Sequence, residues 1–447
     1  MSESSTAAPY PRRAYGWYVV ALLIVAYIVS FIDRGILALM IGPIKAAMQL
    51  SDVEMSWLLG PAFGLFYATL GIPIAILADR YNRRNIIVIG VAFWSLATAA
   101  CGLAWSFVSL FFARMLVGVG EATLTPSAYS MIPDYFPRKA ALRAIGLYTI
   151  GQSIGAGLAF LLGGQVVLLV GRATGVEWPV VGQLESWQMI FIMLGMAGIV
   201  LALLMTTIRE PVRRGFAQQG KSSQKAIPLA DTVRFLSGHW RAFAALFIGN
   251  SVVTTIGYSY FWLPTIFERT WSVSAAQAGI YYGAVLAIAG PIAVIGGARL
   301  SEVLYGRGRS EAPYFVFALS ILGTLPFAVA LPLAANATQA VVFLVPVIFG
   351  LAMASATSSA ALVHIAPAEY RAQISALYLL VISLVGLFLG PPLVAALTDY
   401  FFKDESMIRY SLLIVTCVIG PIGLLALSLG YKHYRASAIE ADSWHES

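Results

Sequence analysis

Charge is scarce in this chain. Of its 447 residues only 11% are Asp, Glu, Lys or Arg, where a soluble domain carries about 25%. So few charges could not cover a water-facing surface of this size, and the bilayer takes the place of water. Cysteine is scarcer still. Cys101 and Cys417 both sit in apolar runs, which argues against a disulfide framework or a cysteine-based metal site. The four histidines, at 239, 364, 433 and 445, fall into no paired nucleophile and base. No Gly-x-x-x-x-Gly-Lys-Ser/Thr segment is present to cradle a nucleotide phosphate. No catalytic residue, metal or cofactor is assigned, which sets aside a membrane acyl or glycosyl transferase. A cleavable signal peptide is not expected either: residues 1–14 are polar, and the apolar run after them is too long for a signal h-region.

What the chain has instead is apolar length; 59% of it is hydrophobic. A spanning helix needs about 20 mostly apolar residues. Twelve segments qualify, near 15–40, 56–78, 85–104, 106–130, 142–170, 186–208, 242–267, 275–298, 312–333, 339–364, 373–398 and 409–431. Helix is the expected form, because backbone facing lipid must satisfy its own hydrogen bonds. The alternation of a membrane β-barrel is absent.

Lys and Arg set the orientation. With the N-terminus inside, 21 of the 28 fall in inner segments and five in outer ones: Lys45, Arg172, Arg269, Lys403 and Arg409. That bias places both termini in the cytoplasm. It also accounts for the net charge of +7, so no nucleic-acid partner is expected. Arg34 and Arg114 lie inside spans and belong to neither face. The long polar stretch 209–241 divides the chain into six spans at 15–208 and six at 242–431, with a tail at 432–447. Within that stretch Leu229, Val233, Leu236 and Trp240 share one helical face, as a short amphipathic helix on the membrane surface or an extension of span seven. The halves echo each other. Spans five and eleven each carry Gly-x-x-x-Gly, Gly151 with Gly155 and Gly386 with Gly390, a spacing that lets helices approach closely. Repeated halves are typical of transporters. Twelve spans with an asymmetric charge cluster do not suit a symmetric channel filter.

The loop after span two reads Ala78-Asp79-Arg80-Tyr81-Asn82-Arg83-Arg84. It suits a plain positive-inside loop. It also resembles the cytoplasmic signature of the major facilitator superfamily, with Asn82 in place of the usual glycine. Span four reads Arg114-Met115-Leu116-Val117-Gly118-Val119-Gly120-Glu121-Ala122 and resembles that family's fourth-helix motif. Asp33-Arg34 in span one, the span-four motif and Ile132-Pro133-Asp134-Tyr135-Phe136-Pro137 together look like its Spinster group, whose members are associated with export of lysolipids and sphingosine-1-phosphate. Bacterial transporters of organic and sugar acids share several of these motifs. The resemblance implies an all-α integral membrane protein of twelve helices in two pseudo-repeated six-helix bundles, with spans one, four, seven and ten around a central cavity. It also implies a gating latch, assigned to Asp79, Arg80, Arg83, Arg84 and Asp134.

A charge at a helix centre costs about 2.5–3.5 kcal/mol on the insertion scale. Arg114, Gly118 and Glu121 share one helical face, so both charges should look into the bundle, unless they form a purely structural ion pair. By helix rise, Asp33 and Arg114 lie at similar depth and Glu121 about 10 Å further in. Asp33, Glu121, Arg34 and Arg114 are the expected proton-coupling set. Arg34, Arg114 and Glu121 are also expected to meet substrate. Asn250, Thr254 and Tyr258 share a face of span seven, and Ser358 lies in span ten; they line the cavity or bond helix to helix. The expected partners are an amphipathic anionic or zwitterionic lipid-like solute, protons and the bilayer, with a proton-coupled small organic or sugar acid as the alternative. A monomer in the bacterial inner membrane is expected.

Orientation is directly testable. On a background with Cys101 and Cys417 replaced by Ser, a single Lys221→Cys should react with an impermeant maleimide only from the cytoplasmic side, and Arg172→Cys only from outside. The reverse pattern would refute the charge-based topology.

Overall fold

A computed structural model describes residues 10–170, 177–178, 182–213, 228–367 and 369–443. Segments 1–9 and 214–227 lie outside the described residues, as does the side chain of Asp79. Among the described residues the regular structure is helical apart from a two-residue antiparallel ladder pairing Glu177 with Gln183.

The first half contains α1 (Arg13–Leu39), α2 (Ile41–Met48), α3 (Asp52–Leu59), α4 (Pro61–Arg80), α5 (Arg83–Gly102), α6 (Phe107–Glu121), α7 (Leu124–Tyr135), α8 (Arg138–Val170) and α9 (Ser186–Met205). The second contains α10 (Leu229–Gly238), α11 (Trp240–Ser259), α12 (Leu263–Trp271), α13 (Ala275–Gly306), α14 (Ala312–Ala330), α15 (Ala337–Ile365), α16 (Arg371–Ala396) and α17 (Ile408–Ser443). Among the described residues eleven helices are long and apolar enough to cross a membrane. Pro61–Arg80, packed on α6, is the twelfth path. Three expected spans are each built of two helices, span seven by α11 and α12 with Tyr260–Trp262 between them. Span two breaks at Gly60, where Pro61 restarts the helix at its first position. Span four breaks after Glu121. The last helix runs on to Ser443, through the stretch read as a tail.

The paired glycines serve one purpose in both halves. A side chain on Gly151 or Gly155 would meet Ile24, Ile28 and Phe31 of α1, and one on Gly386 or Gly390 would meet Thr254, Thr255 and Tyr258 of α11. In each half the fifth span thus lies close against the first. Ser259 and Trp262 add hydrogen bonds to the carbonyls of Gly390 and Pro391, both 3.0 Å. Tyr260 and Trp262 are fully buried there, which removes them from any interfacial belt.

The apolar cores divide unequally. At the end carrying the Lys- and Arg-rich loops, hereafter the basic end, each half has its own core. Val19, Met131, Tyr148 and Ile208 belong to one, and Leu246, Phe317, Ile365 and Tyr434 to the other. At the opposite end a single core joins both halves, with Ile41, Leu59 and Phe63 packed into the same cluster as Trp262, Ile266 and Leu387. The halves are fused at one end and separately packed at the other.

Candidate functional site

Between the halves lies a cavity of about 600 Å³, within the size range of small-molecule sites. Its wall is mainly apolar, with Phe31 from α1, Phe160 from α8, Tyr258 and Phe261 from the seventh span, and Tyr282 from α13. Thr254, Ser355 and Ser359 add hydroxyls. Arg34 is the only charged side chain among the described residues that line it.

Arg34 is held in place from behind. Its Nη2 and Nε lie 2.6 and 2.7 Å from Glu121 Oε2. Its guanidinium carbon sits 4.4 Å from the ring centre of Tyr67, 4.5 Å from Phe63 and 5.1 Å from Phe31. Aromatic faces attract a guanidinium, more strongly when water is excluded. Phe63 and Tyr67, four residues apart, present one face of α4. Gly118 lets α4 come near, since a side chain there would lie 2.5 Å from the Phe63 carbonyl oxygen. The span-four glycine motif therefore brings the aromatic cage up to Arg34.

Asp33 points away, toward α5, where its Oδ2 accepts a hydrogen bond from Thr98 at 3.1 Å. Its Oδ1 is buried without a partner. Arg114 donates to the Asp33 backbone carbonyl at 3.1 Å rather than to the carboxylate, and its guanidinium lies 5.7 Å from the Phe63 ring centre. Asp33, Arg114 and Glu121 are all buried. The four charges do meet at one place, but Glu121 pairs with Arg34 of the neighbouring helix. The pairing of Glu121 with Arg114 along their shared face, one of the two sequence readings, is not formed: about 10 Å of rise separates them.

The remaining sequence candidates divide. Thr254 and Tyr258 line the cavity. Asn250 and Ser358 do not; both are fully buried between helices, where they meet Tyr378. Ser358 donates to the Ser355 carbonyl of its own helix at 2.9 Å, and the Asn250 amide is buried without a hydrogen-bond partner among the described residues. His364 bonds Asp442 at 3.0 Å, at the joint between α15 and the end of α17.

At the basic end, Arg83 draws three elements together. It pairs with Asp134 at 2.5 Å and Glu210 at 2.7 Å, and donates to the Ser130 carbonyl at 3.0 Å. Arg84 donates its backbone N–H to Glu210 at 2.9 Å. Arg83, Arg84, Ser130 and Asp134 belong to the first half, and Glu210 to the start of the stretch that follows it. Arg80 is exposed and makes no ion pair among the described residues. Glu210 was missed in the sequence because it opens a long polar stretch with no evident partner.

The opposite end holds an ion cluster that sequence reading did not find. Asp52, fully buried at the start of α3, accepts from Arg269 of α12 at 2.6 and 2.9 Å and pairs with Lys45. Glu405 bridges the same two cations at 3.0 and 2.9 Å. Asp399 accepts the Val53 backbone N–H at 2.8 Å. Lys45 and Asp52 come from one half, and Arg269, Asp399 and Glu405 from the other. The only local signal was the capping box of Ser51 and Glu54, which marks where Asp52 starts a helix. Burial opposes ionisation of Asp52, but the hydrogen bonds and charges of Arg269 and Lys45 outweigh it and hold its carboxyl below the ordinary value. A carboxyl lowered by folding stabilises fully above its unfolded value of about 3.9. It loses that contribution only as the pH falls through the lowered value. The Asp52 ion pairs therefore survive mild acid.

Two helical bundles around a cavity, joined by a shared core at one end, are the architecture of a membrane transporter. The chain belongs to the Major Facilitator Superfamily, which it matches over residues 23–391. Within that family it is Spinster-like. A crystal structure of a bacterial homologue of the human lysosomal transporter Spinster, inward-facing and unoccupied, superimposes with a TM-score of 0.81 at 28% identity, covering 96% of this chain and 98% of the other. Protein spinster homolog 3 of Danio rerio is 25% identical over 98% of this chain and 89% of its own length. An MFS-type efflux pump of Mycolicibacterium smegmatis is 25% identical, with coverage of 96% and 95%. A D-galactonate transporter of Escherichia coli is 26% identical over 61% of this chain and 64% of its own length.

Asp52→Asn tests the closed end. Removing one partner of a buried ion pair costs about 3–5 kcal/mol. In reconstituted protein, a cysteine replacing Thr254 should then label at least tenfold faster from the face opposite the basic loops. The parent should stay protected from pH 8 to pH 5. Equal labelling in Asp52→Asn and its parent would refute the closing role of the cluster.

Proposed function

We propose that this protein is a secondary active transporter of an amphipathic anionic or zwitterionic solute, of the lysolipid or sphingosine-1-phosphate kind, driven by protons. The observation that carries the reading is an apolar cavity with one charged wall residue, Arg34, whose charge is already held by Glu121. An apolar tail suits the Phe31, Phe160 and Phe261 wall, and an anionic head suits the guanidinium. A small sugar acid would use Arg34 but leave that wall unfilled, so the shape favours the amphipathic solute.

The coupling follows from the pair. Glu121 and an anionic head both seek Arg34. A proton on Glu121 weakens its hold, and Arg34 turns to the substrate. Loss of the proton restores the ion pair and ejects the substrate. Asp33, with an oxygen free of partners, is the second site that would take a proton. Arg114 acts on Asp33 through its backbone carbonyl and so supports the first helix rather than binding substrate.

With the basic end in the cytoplasm, the cavity opens inward and the Asp52 cluster seals the outer side. In the outward-open state the roles reverse, and the Arg83–Asp134–Glu210 knot keeps the inner ends of the first bundle rigid as it moves. The latch role that the family resemblance implies for Asp79 and Arg80 belongs to that state. The protein works as a monomer in the bacterial plasma membrane, with both termini inside.

Two measurements test the reading. In proteoliposomes subjected to a pH jump, Glu121→Gln should lose proton-driven transport by at least tenfold; unaltered proton-driven transport would remove Glu121 from the mechanism. In a thermal-shift screen, lysophospholipids and sphingosine-1-phosphate should stabilise the purified protein, and Arg34→Ala should abolish the shift. Stabilisation by small organic acids alone would replace the lipid-like substrate with the sugar-acid class.

A further inference from the structure

A second cleft, of about 350 Å³, lies at the basic end of the second half, away from the transport cavity. It forms where α10 turns into α11 and α17 runs past. Its polar groups are His239, Arg241, His433, Ser437 and Glu440, with Trp240 at its rim. Arg241 Nη1 lies 3.4 Å from His433 Nε2. The acid of the cleft, Glu440, lies on its far side, 3.8 Å from His239. Among the described residues no carboxylate pairs with Arg241. His239 Nδ1 is 3.2 Å from the Phe235 carbonyl oxygen, which fixes its proton there and turns Nε2 toward Glu440.

The surroundings place this cleft at the membrane interface. Trp240 is 59% exposed, and the Arg241 guanidinium lies 5.4 Å from its ring centre. Trp is enriched at that level of a bilayer. Above the cleft the surface turns apolar in register. Leu425 and Leu429 precede His433 at four-residue steps, so all three lie along one face of α17. Ile248 lies seven residues on from Arg241, along the same face of α11. All three apolar side chains are exposed.

We propose that this cleft binds a phosphate group, presented by the headgroup of an anionic phospholipid in the adjacent leaflet. Arg241 supplies two N–H donors to the phosphate oxygens. His433, 3.4 Å from Arg241, lines the cleft beside it and holds the guanidinium at that wall. The acyl chains follow Ile248, Leu425 and Leu429. Basic pockets between spans on the cytoplasmic side are suited to such headgroups. Inorganic phosphate offers the same chemistry without the chains.

The test uses the delipidated full chain in detergent, titrated with phosphatidylglycerol or phosphatidylcholine and read by native mass spectrometry. Phosphatidylglycerol should bind at least tenfold more tightly than phosphatidylcholine. The Arg241→Gln/His433→Gln double variant should lose at least tenfold in phosphatidylglycerol affinity while binding phosphatidylcholine unchanged. Should that variant fail to fold, Glu440→Gln decides: removing the acid should tighten phosphatidylglycerol binding, and no change or weaker binding would overturn the proposal. Equal affinity for the two lipids, or full affinity in the double variant, would overturn it as well. Inorganic phosphate at millimolar concentration should compete only weakly. If it binds as tightly as phosphatidylglycerol, the free ion is the ligand and the lipid assignment fails.

Discussion

Arg34 and Glu121 form an ion pair in a place where neither charge could stand alone. Removing one partner of such a buried pair costs about 3–5 kcal/mol, because it strands the other. The surrounding structure is organised around that constraint. Phe31, Phe63 and Tyr67 enclose the guanidinium in ring faces, and Gly118 admits the helix that carries two of them. Only the Arg34 side of the pair reaches the cavity wall. In the proposal, a ligand at Arg34 competes with Glu121 from the front, while a proton acts on Glu121 from behind. In the proposed cycle that is the whole coupling device.

The second constraint is mechanical. A shared core and an ion cluster fasten the halves at one end, whereas at the basic end each half packs only on itself. Alternating access needs this inequality, and it needs the closed end to be reversible. A purely apolar seal would be hard to reopen selectively. Asp52, Lys45, Arg269 and Glu405 form a seal from groups that water can solvate on release. Asp52 keeps its charge through mild acid, so acidity does not break its ion pairs by itself. In the proposed cycle, protons act at the Arg34 site instead.

Hydropathy made the spans legible because lipid imposes one simple requirement on every helix. It could not show that span two restarts at Pro61 or that span four breaks after Glu121, since both breaks lie within continuous apolar runs. The buried charges were legible for the same reason as the spans: an Arg or Glu in lipid has nowhere to go but inward. Their partners were less so. Which charge Glu121 meets depends on how α1 rotates against α6, and one helix's periodicity says nothing about its neighbour's rotation. Asn250 shows the limit from the other side. It shares a face with Thr254 and Tyr258, yet it sits deeper in the bundle, against Tyr378. The Asp52 cluster was invisible because its members from the two halves lie more than 200 residues apart and look like ordinary loop charges.

The central claim is that Arg34 serves either Glu121 or the ligand, but not both. Calorimetric titration of the purified protein with lysophosphatidic acid near neutral pH, repeated in buffers of different ionisation enthalpy, measures the protons taken up on binding. Linkage predicts an uptake of about one proton per ligand, and none in Glu121→Gln. Tight binding to the unsubstituted protein with no proton uptake would contradict the account.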